Sequence, residues 1–152
     1  VAVSVIVLGF GYLAGFGSGN LVVIALAHSV LAFPFAVRIL SGALARIDLQ
    51  SIEAARTLGA SELQVLRLVQ LPRIKGAIAA SLAFSFAVSL GELGIVMLLY
   101  DGVYATMPVY VYRMISAFDI PAAAAMGLLM VLISFVCFYV IERSGERIGA
   151  AA

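Results

Sequence analysis

The sequence predicts an all-α membrane protein of about four transmembrane helices, and three observations lead there. The 152 residues are 64% hydrophobic and only 11% charged, with a mean hydropathy of +1.19, well outside the range of soluble globular domains. No charged side chain occurs in 1–37, 76–91 or 120–141, and a helix needs about 20 apolar residues to cross hydrocarbon. Basic residues cluster between those stretches. Six of the nine lysines and arginines (Arg38, Arg46, Arg56, Arg67, Arg73, Lys75) share one segment, Arg143 and Arg147 follow the last apolar run, and only Arg113 lies elsewhere. The positive-inside tendency assigns both basic stretches to the cytoplasmic face, and the two crossings between them return the chain to the same side.

Taken in order, segment 1–14 is apolar but short for a full crossing, and a glycine-rich turn at 15–20 follows it. The opening residues carry neither a methionine nor a basic run, which predicts the interior of a longer gene rather than a signal peptide. Residues 21–40 form the second span, with His28 and a helix-kinking Pro34 inside it and Arg38 marking the inner interface. Segment 41–75 changes to two short amphipathic helices. Asp48 is the expected N-cap of the first and Gly59 its end, while Ser61 and Gln64 form a capping-box signature for the second. Leu71-Pro72 is expected to end the pair, because the residue before a proline avoids the helical region. Residues 76–100 form the third span, interrupted only by Glu92, and Asp101-Gly102 turns the chain outside. A short external helix follows, with Thr106 as its cap and Tyr104, Tyr110, Tyr112 and Phe118 at headgroup level. Residues 121–141 are the fourth span, and 142–147 a cytoplasmic tail.

The formal net charge of +1 is too small to attract nucleic acid. The single cysteine, Cys137, allows neither an intrachain disulfide nor a cysteine metal cluster. One histidine and one cysteine in different spans leave no catalytic set for an enzyme. Glu92 lies about sixteen residues from the inner end of its span, roughly 24 Å across at about 1.5 Å per residue. An acid at that depth is expected either to line a solute pathway together with Ser85 and Ser89, or to snorkel outward. His28 reads as a hydrogen-bonded packing residue. Arg113 and its neighbouring tyrosines fit equally an interfacial anchor or a contact for an external protein.

One pattern is more specific. The basic segment reads Glu53-Ala54-Ala55, three residues, Gly59, nine residues, Val69, one residue, Leu71-Pro72. This looks like the EAA loop of binding-protein-dependent ABC importer permeases, with Val69 where isoleucine is usual. Small Ala54 and Ala55 let a helix enter a partner's groove closely, Glu53 supplies an orienting charge, and Gly59 permits a left-handed turn. The rival is an ordinary amphipathic connector lying on the membrane.

The resemblance covers about 21–148 and implies the C-terminal part of the type I importer permease (MetI-like) fold within a domain 1–152, with a cytoplasmic coupling loop at 41–75. It implies that Glu53, Ala54, Ala55, Gly59, Leu71 and Pro72 couple the chain to a separate ATPase subunit. That subunit would hold ATP and Mg; this chain would carry no cofactor, and it contains no glycine-rich phosphate loop ending in Gly-Lys-Ser or Gly-Lys-Thr. The further partners implied are a second permease half, an extracytoplasmic solute-binding protein and the lipid bilayer of a bacterial or archaeal plasma (inner) membrane, with the loop and C-terminus cytoplasmic.

Segments 31–38, 89–94 and 107–112 resemble the thiamine and ferric-iron branch, which implies thiamine or ferric iron as solute, with an oxyanion or a polyamine also open. A proton-coupled secondary transporter is the alternative. It would need paired ionisable groups near mid-membrane, and only Glu92 and His28 qualify.

Overall fold

The computed structural model describes residues 4–18 and 20–149, without the side chains at 142 and 144–149, and every regular element among them is helical. The chain divides into two compact units. The first takes the described parts of 1–33 and 85–136, the second those of 34–84 and 137–152.

In the first unit, α1 (Val5–Phe16) runs along α7 (Gly94–Leu99). The approach is close because Gly9 lacks a side chain: a Cβ there would stand 2.7 Å from Leu98 Cδ1 and 3.4 Å from Ile95 Cα. α2 (Leu21–Leu44) starts where the Asn20 side chain accepts the Val22 N–H at 2.9 Å, relieving one orphan donor of its first turn. Val23, Ile24 and Ala27 of α2 pack with Ile95, Val96 and Leu99 of α7 and Val109 of α8 (Met107–Ser116) to form the core. Lipid tails are as apolar as these side chains, so close packing rather than water exclusion holds such a cluster in a bilayer. α8 ends on Phe118, whose φ of 61° is left-handed, while Phe118 N–H reaches Ile115 O and Asp119 N–H reaches Met114 O. That is a Schellman ending with phenylalanine where glycine is usual. Asp119 then caps α9 (Ile120–Gly149) through the Ala122 N–H at 3.1 Å.

In the second unit, α3 (Leu49–Thr57) packs on a segment built of α4 (Glu62–Val65), a π-helical turn (Leu66–Gln70) and α5 (Leu71–Arg73). Ile52 and Val65 are buried there. α6 (Lys75–Gly91) follows after a 70° bend from Glu62–Arg73, and the Phe35 and Phe84 rings meet at 5.1 Å between centroids.

Several expectations need correction. Two helices, Leu21–Leu44 and the Ile120–Ile141 part of α9, are long and apolar enough to cross a membrane, and a third qualifies only if α6 is joined to Glu62–Arg73 across the bend. Helix α1 has 12 residues, so four full crossings are not present among the described residues. The third expected span does not run unbroken from 76 to 100: it stops at Gly91 and restarts at Gly94. Helix α2 continues through Pro34 and Arg38 and takes in 41–44, the expected start of the loop. Leu71 is helical despite preceding Pro72. Its N–H bonds to Leu66 O, five residues back, and this wider turn relieves the crowding that a proline ring imposes on an α-helix. The change of direction comes at Ile74, with φ −102° and ψ 9°. The glycine-rich turn begins at Gly17 rather than Gly15, because α1 extends to Phe16, and Gly19 lies outside the described residues. The tail 142–147 continues α9 as helix.

Candidate functional site

The loop that carries the Glu53–Pro72 pattern is built from its caps. Asp48 Oδ1 accepts the Gln50 N–H at 3.1 Å and Oδ2 the Ser51 hydroxyl at 3.3 Å, closing the start of α3. At its end, Gly59 N–H bonds to Arg56 O and Ala60 N–H to Ala55 O, a Schellman motif with Gly59 at φ 84°. No atom lies within 4 Å of where a Cβ on Gly59 would be, so backbone conformation and not space selects glycine. Ser61 and Gln64 then form the capping box, with Gln64 Oε1 accepting Ser61 N–H at 2.8 Å and Ser61 Oγ accepting Gln64 N–H at 3.4 Å.

Glu53 and Ala54 are exposed, Ala55 and Pro72 half-buried, and Gly59 and Leu71 exposed. Leu58 at the elbow is 88% exposed, an apolar side chain held out into the surroundings by a rigid turn. Arg56 bridges the elbow, its guanidinium 2.9 Å from one Glu62 oxygen and 3.0 Å from the other. The hydrogen bond to Glu62, and after it that carboxylate's charge, hold Arg56 above its ordinary pKa. Opposite charges six residues apart across a glycine were the sequence signal for this tie.

The second constellation lies in the first unit, where α6 breaks. Glu92 is buried, and its carboxylate turns back onto α7: Oε1 accepts the Ile95 N–H at 2.9 Å and Oε2 the Val96 N–H at 3.4 Å. The carboxylate thus takes two of the N–H groups that a helix start leaves without partners, at the end where the helix dipole favours negative charge. Gly94 leaves the room, since a Cβ there would meet Glu92 Oε1 at 3.3 Å and Val5 Cγ1 at 3.4 Å.

His28 of α2 joins this site. Its Nδ1 is 3.0 Å from Ser89 Oγ, and its Nε2 is 3.6 Å from Glu92 Oε2 with no hydrogen bond of its own. The direction of the hydrogen bond between Ser89 and Nδ1 follows the tautomer of the ring. Glu92 and Ser89 are therefore brought together, with His28 added. Ser85 is half-buried one turn earlier on α6. His28 is hydrogen-bonded as expected, but it has an acidic neighbour from outside its own span, which spacing within that span could not reveal.

Outside these sites, Arg113 donates to the Tyr100 hydroxyl at 2.6 Å. Thr106 stands at the N-cap of α8 without using its side chain.

An all-helical chain with long apolar helices and a doubly capped loop agrees with one family model, that of the binding-protein-dependent transport system inner membrane component, which matches residues 1–149. The chain belongs to this family. Among the chain's relatives, PhnV of Salmonella typhimurium strain LT2 is 32% identical over 97% of this chain and 58% of its own length. Its name assigns it provisionally to 2-aminoethylphosphonate transport as a permease protein. The thiamine transport system permease protein ThiP of Escherichia coli K12 is 28% identical over 79% of this chain and 22% of its own. The sulfate transport system permease protein CysT of Salmonella typhimurium is 33% identical over 83% of this chain and 47% of its own.

The chain thus spans 58% of the length of PhnV and less of the other two. All three are named as transport permease proteins and not as enzymes. The likeness to the thiamine branch holds, within a wider set that takes in phosphonate and sulfate systems.

Proposed function

We propose that this chain is the C-terminal part of a permease subunit of an ATP-driven ABC importer, and that its capped loop transmits the motion of a separate ATPase subunit to the membrane helices. The observation that carries this reading is the α3 elbow: a Schellman turn on Gly59, an Arg56–Glu62 tie across it and Leu58 projecting from its tip. A stiff helix pair with an exposed apolar tip suits insertion into a groove on a partner. Glu53, Ala54, Ala55, Gly59, Leu71 and Pro72 are the coupling residues in this reading. ATP and Mg belong to the ATPase subunit, the loop and C-terminus face the cytoplasm, and a solute-binding protein delivers solute on the other side. A second permease half completes the pathway.

Ser85 and Ser89 supply hydroxyls to that pathway. Glu92, whose oxygens already serve α7, shapes it by holding the break between α6 and α7. The solute is small and charged. Thiamine or ferric iron follows from the branch resemblance, and the names of PhnV and CysT add an organophosphonate and sulfate to the solutes to assay. The His28–Glu92 pair is the one observation that favours a proton-coupled transporter. It is a single pair with its carboxylate committed to a helix cap, and the family match outweighs it.

The test is co-purification of the full-length parent protein with its ATPase subunit. Gly59→Val forces a β-branched residue into left-handed backbone and should abolish capture while membrane insertion persists. Gly59→Asn, which tolerates that region, should keep most of it. Equal capture by all three proteins would remove the loop from the coupling role. Uptake that survives collapse of the proton gradient but requires ATP separates this reading from the proton-coupled one.

A further inference from the structure

A polar cleft of about 530 Å³ opens in the second unit, lined by Ala43, Arg46, Ile47, Asp48, Ser51 and Arg73. Arg46 follows the last turn of α2 by two residues, and Arg73 precedes the start of α6 by two. Both guanidiniums are exposed, and neither makes a hydrogen bond or ion pair with any described residue. Asp48 is the only acid in the lining, and both its oxygens are already used within the first turn of α3, on Gln50 N–H and the Ser51 hydroxyl. Arginine stays charged at any physiological pH and presents a planar fork of donors that matches phosphate oxygens. Two such forks facing one polar space, with no carboxylate free to answer them, call for an oxyanion.

We propose that this cleft binds a phosphate group, and that the anionic headgroup of a membrane phospholipid supplies it. The location decides the source. Arg46 follows the end of a helix long and apolar enough to cross a membrane, and Arg73 lies at the bend that leads into the apolar helix α6, and basic pockets at such ends hold anionic headgroups. The same cleft includes Asp48 and Ser51, so a headgroup seated there ties the bilayer surface to the start of α3. The proposal needs only the membrane placement of the family and not the coupling role of the loop.

The experiment uses the full-length parent protein in nanodiscs of phosphatidylcholine with a minor fraction of phosphatidylglycerol. Phosphatidylglycerol retained by each protein is counted by native mass spectrometry. Arg46→Gln and Arg73→Gln should each weaken retention about fivefold, from the attraction of one basic residue to an anionic surface, and the double variant by the product. Arg38→Gln removes the same charge from α2 outside the cleft and should leave the displacement of phosphatidylglycerol by inorganic phosphate unchanged. Arg46→Lys and Arg73→Lys keep the charge without the fork and should retain an intermediate amount, which guards against reading misfolding as lost binding.

A second arm adds inorganic phosphate. Displacement of phosphatidylglycerol by phosphate, absent from the glutamine variants, supports the phosphate site and shows that free phosphate also enters it. Retention equal in all variants, with no phosphate effect, overturns the proposal. So does unchanged retention accompanied by loss of the ATPase subunit, which would assign the two arginines to that partner.

Discussion

Replacing Glu92 separates two reasons for an acid inside an apolar stretch. Ile95 and Val96 are fully buried, so their N–H groups have no water to turn to once the carboxylate is gone. Glu92→Ala leaves both without an acceptor. Glu92→Gln keeps a carbonyl oxygen for the shorter bond, 2.9 Å to Ile95, and gives up the longer one, 3.4 Å to Val96. Both variants remove the buried negative charge, so its desolvation cancels when the two are compared. What remains is chiefly one buried N–H satisfied in the glutamine protein and orphaned in the alanine one, about 1–3 kcal/mol in favour of glutamine, less the cost of turning the new amide NH2 toward the Val96 N–H.

Reversible unfolding of the purified protein in mixed micelles gives the difference in stability. Hydrogen exchange at Ile95 locates it, with amide protection in the alanine variant falling about ten- to hundredfold below that in the glutamine variant, while Val96, which loses its acceptor in both, should differ little between them. Equal stability and equal exchange in the two variants would refute the capping role and return Glu92 to the solute pathway.

Gly9→Ala should be near neutral, within about 1 kcal/mol either way, because Leu98 Cδ1 is a mobile methyl that can rotate aside and alanine is the better helix former. Gly9→Val should destabilise by about 1–3 kcal/mol as α1 is forced away from α7, and an undiminished melting temperature would contradict the close approach. Phe118→Gly should stabilise, because the residue is 90% exposed and holds a left-handed φ of 61°. The gain of about 1 kcal/mol, or ~2–4 °C in Tm, is to be read in micelles, and an unchanged or lower Tm would show that the ring has contacts beyond this chain.

The loop was legible because its signals are local. Asp48, Gly59 and the Ser61–Gln64 pair act within a few residues of themselves, so their caps could be written down from spacing. Apolar stretches likewise gave the long helices, since composition alone decides whether a segment prefers hydrocarbon. The failures have different causes. The residue before a proline disfavours the helical region without being barred from it, and Leu71 stays helical at φ −56° and ψ −43° with its N–H on Leu66 O. The break at Glu92 went unseen because neither proline nor a turn signature marks it, and a glutamate capping its own chain looks the same in sequence as one lining a channel. The His28–Ser89–Glu92 constellation joins residues 61 positions apart, a relation that no periodicity encodes.

A helix that stops inside an apolar stretch has an effect beyond its own cap. The last carbonyls of α6 have no later turn to accept from, and among the described residues only the Ser89 oxygen recovers a bond, a long one of 3.4 Å from the Glu92 N–H. Hydrocarbon offers these groups nothing, so the segment around 88–93 must turn toward protein or water and away from lipid tails. α9 is the opposite case: from Ile120 to Ile141 it is unbroken and its large apolar side chains stand exposed. The two stretches should therefore separate by solvent: probes carried on acyl chains should reach α9 from Ile120 to Ile141 and leave 88–93 silent.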